Sequence, residues 1–182
     1  WSEALFAQHI YGDSAYRRQM ANIQSKVLRG AHIQDKGYHA IAGVPDDITY
    51  GSTVYDKGAL AAHTLRTHLT DEVFFPAIQK YMQTFKFGNA TTQQFCDSLS
   101  RYARTNLRPF IEGWVLTGGH YHIKLDSFTT RPVTASGQHR VTLHIRQQAL
   151  NGKTFCCPNT RMDVLLFGKN GQRWCRKIML TR

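Results

Sequence analysis

The feature that most constrains this chain is a change of hydrophobic period at Gly118-Gly119. Before it, apolar residues recur every three to four positions; after it, they alternate with polar ones. A helix repeats its buried face at about 3.6 residues and a strand at 2, so neither pattern can bury its apolar face in the other conformation. The chain therefore reads as α+β, with helices over residues 1–118 and an antiparallel β unit over residues 119–182.

The helical part divides at its breakers. Phe6, Ile10, Met20, Ile23 and Val27 mark a helical stretch from Glu3 to about Leu28, interrupted or re-capped at Gly12 and Asp13-Ser14. A loop over Gly30–Thr53 follows, holding Gly37, Gly43, Pro45 and Gly51, and a loop of that length inside a domain points to function or mobility. A second helix is expected over Tyr55–Leu69, with Ala61, Leu65 and Leu69 on one stripe. The third has Thr70 as its cap, Asp71 and Glu72 at its positive end, and Phe74, Ala77, Ile78, Tyr81, Met82 and Phe85 on its apolar face. Thr91 and Gln94 form a capping-box signature for a fourth helix bearing Phe95, Leu99 and Tyr102. Pro109 suits the first turn of a fifth, whose inner face is Leu107, Phe110, Ile111 and Trp114.

Beyond Gly119 the alternating sets are Tyr121, Ile123 and Leu125; Val141, Leu143 and Ile145; and Met162, Val164 and Leu166, with Trp174, Ile178 and Leu180 looser. Turn signals stand at Ser136-Gly137, Asn151-Gly152 and Asn170-Gly171, the last a strong hairpin signal. The expectation is one side of a β-sandwich. Cys156 and Cys157 are adjacent and seldom bond to each other, whereas a bridge from one of them to Cys175 is feasible between neighbouring strands.

A hydrophobic fraction of 42% and an aromatic fraction of 12% exclude a disordered chain, and no apolar run is long enough for a membrane-spanning helix. The net charge of +11 is uneven, with about 12 basic against 10 acidic residues up to Gly119 and about 11 against 2 from His120 onward. Such a basic part has the charge to bind nucleic acid or an acidic membrane, but no RNA-binding motif or zinc finger accompanies it, so a solvated face or one docked on an acidic neighbour is favoured. His63 and His68 lie five apart on one helix and face different ways, and His120 and His122 share a strand face without an evident third ligand. The chain opens at Trp1 within amphipathic sequence, which is read as the loss of an upstream segment.

Chemistry is carried by spaced pieces: Trp1-Ser2-Glu3-Ala4-Leu5, Tyr50, Tyr55-Asp56-Lys57-Gly58-Ala59, Leu65-Arg66, Asp71-Glu72-Val73-Phe74, Tyr81, Asn89-Ala90-Thr91-Thr92, Phe95 and Leu107-Arg108-Pro109-Phe110-Ile111-Glu112-Gly113-Trp114. In this order they resemble the gluzincin zinc metallo-aminopeptidases, from Trp1 to about Tyr121. The resemblance implies the helical lobe of a thermolysin-like catalytic domain followed by a small β-sandwich domain, with a peptide as substrate. In that family an H-E-x-x-H helix supplies two zinc-binding histidines and a general base, and a glutamate about eighteen residues later supplies the third ligand. Glu3 matches that glutamate. A tyrosine in a Y-x-K-G-like motif stabilises the transition state, often with another tyrosine five residues earlier; Tyr55 and Tyr50 match these. Ala4 stands where the family commonly has glycine, and the tryptophan is one residue nearer the glutamate than usual.

Catalytic zinc takes three protein ligands and leaves a position to water, so Glu3 alone cannot hold one and the chain by itself is expected to be inactive. The remaining ligands are expected from a catalytic segment upstream in the same chain. Two rival readings stand beside this one: a non-catalytic relative serving as a peptide-binding or scaffold surface, and a basic β unit serving as an interaction module.

Overall fold

The computed structural model describes residues 1–133, 137–149 and 160–180. Helix α1 (Ser2–Tyr11) stops at Gly12, whose φ of 82° suits glycine, and α2 (Asp13–Lys26) restarts at once. A π-helical turn (Val27–Ala31) and a short α3 (His32–Gln34) then carry the helical path past Gly30, so the irregular loop begins at Asp35 and not at Gly30. Another π-helical turn (Thr53–Lys57) leads into α4 (Gly58–Leu69), on which Ala61, Leu65 and Leu69 are all buried as their stripe predicts.

Helix α5 (Asp71–Phe85) buries Phe74 and Ala77 and half-buries Ile78, Tyr81 and Phe85, but Met82 is 64% exposed and is a correction to the predicted face. The seam is the narrower set at 74, 77, 78, 81 and 85; Met82 falls at its edge, in an open groove with Phe75 and Pro76. Thr70 is a second correction. It occupies the N-cap position of α5 with φ 69° and makes no capping bond to the backbone. Thr91 does cap α6 (Thr92–Ala103): its hydroxyl accepts from Gln94 N at 3.2 Å while Gln94 Oε1 accepts from Thr91 N at 2.8 Å. Helix α7 (Arg108–Trp114) starts with Pro109 in its first turn and buries Phe110 and Ile111.

The main core joins α4 to α7 through Leu65, Leu69, Phe74, Cys96, Leu99, Leu107, Phe110 and Ile111. A second cluster, Ala4, Tyr16 and Met20, joins α1 to α2. Trp1 packs against both and meets the Phe74 ring edge-on at 5.5 Å between centroids.

Four strands follow. β1 (Tyr121–Val133) and β2 (Gln138–Ala149) pair antiparallel, with a register shift at Asp126, whose carboxylate takes ion pairs from Arg146 at 3.0 Å and Lys124 at 3.8 Å. β3 (Thr160–Phe167) and β4 (Arg173–Leu180) form a second antiparallel pair, closed at Asn170-Gly171 with Gly171 at φ 73°. These are two separate two-stranded sheets, and a second sandwich layer is not among the described residues. Val141, Leu143 and Ile145 are only half-buried, and Leu125 and Trp174 are exposed. The chain forms two compact units: Trp1–Gly118 with Cys157–Arg182, and Gly119–Cys156. The Asn151-Gly152 turn, Cys156 and Cys157 lie outside the described residues; Cys175 and Cys96 are free thiols.

Candidate functional site

The two predicted tyrosines come together. Tyr50 ends the loop that starts at Asp35, and Tyr55 stands in the π-helical turn that opens α4. Their rings stack with centroids 6.4 Å apart and planes 28° apart, and both remain open to solvent, Tyr50 at 85% and Tyr55 at 60% exposure. They border an open cleft of about 430 Å³ whose other lining includes Lys26, Gly30, Gln34 and Asp56. Two exposed phenols thus stand together at the edge of an open cleft.

The turn bearing Tyr55 is anchored from beneath. Asp35 is buried, and its Oδ2 accepts from Thr53 N at 2.6 Å and its Oδ1 from Ser52 N at 3.2 Å. These are amides that the start of a helix leaves without intrahelical partners. Gly51 has no Cβ because one would collide with Asp35 Oδ1 and the Ile48 carbonyl. The Ser52 hydroxyl donates its one proton to Asp56 Oδ2 at 2.7 Å, with Gln34 Oε1 a second acceptor at 3.1 Å from the same oxygen. On the inner side of the turn, Lys57 is 7% exposed and donates from Nζ to the His39 carbonyl at 2.9 Å and the Thr117 carbonyl at 3.3 Å. Burial pulls its pKa down to about 8, since the ammonium gives up hydration that carbonyl dipoles replace only in part.

Glu3 lies exposed in the first turn of α1, and no hydrogen bond, ion pair or ring contact joins it to either tyrosine among the described residues. The helix that carries it is fixed by a polar network. Trp1 Nε1 donates to Tyr16 Oη at 3.2 Å, and Tyr16 Oη shares a hydrogen bond with His63 Nδ1 at 2.8 Å. Arg66 lies over the Tyr16 ring, reaches Gln8 Oε1 at 2.9 Å and grips Asp71 with two bonds of 2.6 and 2.7 Å. That grip holds the Asp71 carboxyl below its ordinary range. His63 is thus a satisfied packing residue, and burial together with nearby Arg66 lowers its pKa.

A carboxylate is a suitable oxygen donor to zinc, but catalytic zinc needs three protein ligands. Among the described residues, no group of three His, Cys, Asp or Glu side chains could hold a metal ion. Glu3 by itself therefore does not make a metal site.

Sequence reasoning missed Asp35, Gly51 and the inward role of Lys57. Asp35 precedes Lys36-Gly37 and looks like an ordinary turn residue. Only the Gly51-Ser52-Thr53 step before the Tyr55 helix hints that an outside group must meet its first amides.

These elements make up a helical lobe with a tyrosine-edged cleft. The peptidase family M1 domain matches residues 1–114, and the chain belongs to that family. Probable aminopeptidase 2 of Sulfurisphaera tokodaii is 33% identical over 75 residues, covering 41% of this chain and 9% of that protein. Glutamyl aminopeptidase of Rattus norvegicus is 31% identical over 100 residues, covering 54% of this chain and 10% of that protein. The crystal structure of Legionella pneumophila aminopeptidase A in complex with aspartic acid superposes on 98% of this chain and 19% of its own, with a TM-score of 0.63 at 17% identity. The fold of this family thus extends over the whole chain, which spans about a tenth of these curated relatives and about a fifth of that solved structure.

Proposed function

We propose that the full-length protein is a zinc-dependent aminopeptidase that removes N-terminal residues from peptides, with Tyr55 as the oxyanion donor, Tyr50 beside it and Glu3 as one zinc ligand. The observation that carries this reading is the stacked Tyr50–Tyr55 pair, exposed at a cleft while the turn beneath it is buried and hydrogen-bonded. Membership of the peptidase family M1 supplies the reaction class, and the aminopeptidases among its relatives supply the peptide-end preference.

Zinc, when bound, supplies a Lewis acid that acidifies water at neutral pH. Within this chain, Glu3 contributes a carboxylate ligand from the first turn of α1. Tyr55 donates its O–H to the substrate carbonyl oxygen, a bond that strengthens as negative charge gathers on that oxygen and so lowers the barrier. Tyr50 flanks it and narrows the positions the peptide can take. The described residues hold no group of three ligands, so on this reading the chain alone is expected to be inactive.

The test is Tyr55→Phe in the full-length protein. Loss of one oxyanion donor is expected to cost about 10²–10³ in kcat, roughly 2.7–4 kcal/mol of transition-state stabilisation, with zinc content unchanged. Unchanged turnover of the phenylalanine variant removes Tyr55 from this role.

A further inference from the structure

The Tyr50–Tyr55 pair is held by two buried charged groups that are not themselves part of it. Asp35 stands at the start of the loop and takes the amides of Ser52 and Thr53 at its end, so one carboxylate closes both ends of the loop that carries Tyr50. Lys57 sits in the Tyr55 turn and reaches the His39 carbonyl inside that loop and the Thr117 carbonyl just beyond α7. Two further contacts stitch the same corner. Ala42 N donates to the Val115 carbonyl at 3.1 Å, and a Cβ on Gly118 would collide with the Tyr38 carbonyl. Tyr55 and Lys57 are two residues apart on one turn and face opposite ways, one outward to the cleft and one inward to the carbonyls.

Neither buried charge has a side-chain ion-pair partner among the described residues: Asp35 is met by backbone amides and Lys57 by backbone carbonyls. Burying an unpaired ammonium opposes folding, and an apolar side chain of similar length is often neutral or stabilising in such a place. A merely structural lysine would gain from being methionine. What an apolar side chain cannot do is fix the loop's carbonyls to the turn at a set distance.

We propose that Asp35 and Lys57 form a two-point clasp that sets the placement of Tyr50 and Tyr55 at the cleft, acting as positioning residues. Their catalytic consequence rests on the peptidase reading of the pair; the clasp itself does not. A misplacement of about 1 Å at a reacting centre can cost on the order of 100-fold, so loosening the loop is expected to show in kcat before it shows in KM.

The experiment is Lys57→Met in the full-length protein, with Asp35→Asn as a second variant and Tyr55→Phe alongside. Lys57→Met is expected to keep or raise Tm, lower kcat by about tenfold or more, and leave KM within about twofold. Amide exchange in peptides spanning residues 38–57 is expected to rise about tenfold without a matching rise in α5 and α6. Asp35→Asn, which replaces an accepting oxygen with an NH₂ and strands an amide, is expected to give the same local rise in exchange. If exchange in 38–57 stays at the wild-type rate in Lys57→Met, there is no clasp. Faster exchange with unchanged kcat, in a protein whose turnover Tyr55→Phe does lower, overturns the positioning role. Full turnover in Tyr55→Phe overturns the peptidase reading of the tyrosine instead, while the exchange arm still decides the clasp.

Discussion

At the scale of single residues, the two lysines near the cleft show how burial decides what a charge does. Lys26 sits exposed at the end of α2 and lines the cleft, whereas Lys57 is sealed under the Tyr55 turn with only carbonyls for company. The folded value of Lys57 lies at about 8, below the ordinary lysine value of 10.5. Between those two pH values the unfolded chain binds the extra proton and the folded chain does not. Stability therefore rises with pH across that window and is lower below it. The full span is on the order of 3 kcal/mol. The check is the unfolding free energy of the parent and Lys57→Met at pH 7.5 and at pH 10. The parent is expected to gain relative to the variant at the higher pH, and a pH-independent difference removes the claim. His63 follows the same sign lower on the scale: it is held below its ordinary value of 6.5, so its contribution falls as pH drops beneath that value.

At the scale of elements, the two helix starts at Thr70 and Thr91 look alike in the sequence and behave differently. Thr91 has Gln94 three residues on, and both reciprocal bonds form. Thr70 has Val73 in that position, and the α4–α5 junction is instead joined by the Arg66–Asp71 ion pair. Thr91→Ala is expected to destabilise the fold by about 1 kcal/mol, read as a lowered urea midpoint at unchanged m-value; a midpoint equal to the parent's would mean the box does not stabilise α6. The helices were legible because each has a breaker, a cap or a periodic stripe within its own residues. The tyrosine pair was legible because both members sit in one short stretch. Asp35, seventeen residues before the amide of Ser52 that it holds, left no local trace. Nor could the stripe on α5 show Met82 to be outside the seam, since helical spacing marks a face but not its width. The strands were legible from alternation and the Asn170-Gly171 turn, while their pairing into two separate sheets depends on contacts that alternation does not encode.

At the scale of the whole molecule, the question is what a lone carboxylate on α1 is for. In its own helix, Glu3 is an acidic residue at the positive end of the dipole, worth a few tenths of a kcal/mol. On the proposed reading, by contrast, it is one of three zinc ligands. The two roles separate cleanly on substitution. Glu3→Gln keeps the size and the helix but loses the charge that zinc ligation uses. If Glu3 is a ligand, the full-length variant is expected to retain zinc at least about tenfold more weakly than the parent, since even outer hydrogen-bond partners of metal ligands cost 10–100-fold. The measurement is zinc per chain by atomic absorption after dialysis against graded chelator, with circular dichroism to show the helices intact. Equal zinc retention in parent and variant leaves Glu3 with the dipole alone, and the Tyr50–Tyr55 cleft then has to be explained by peptide binding without hydrolysis.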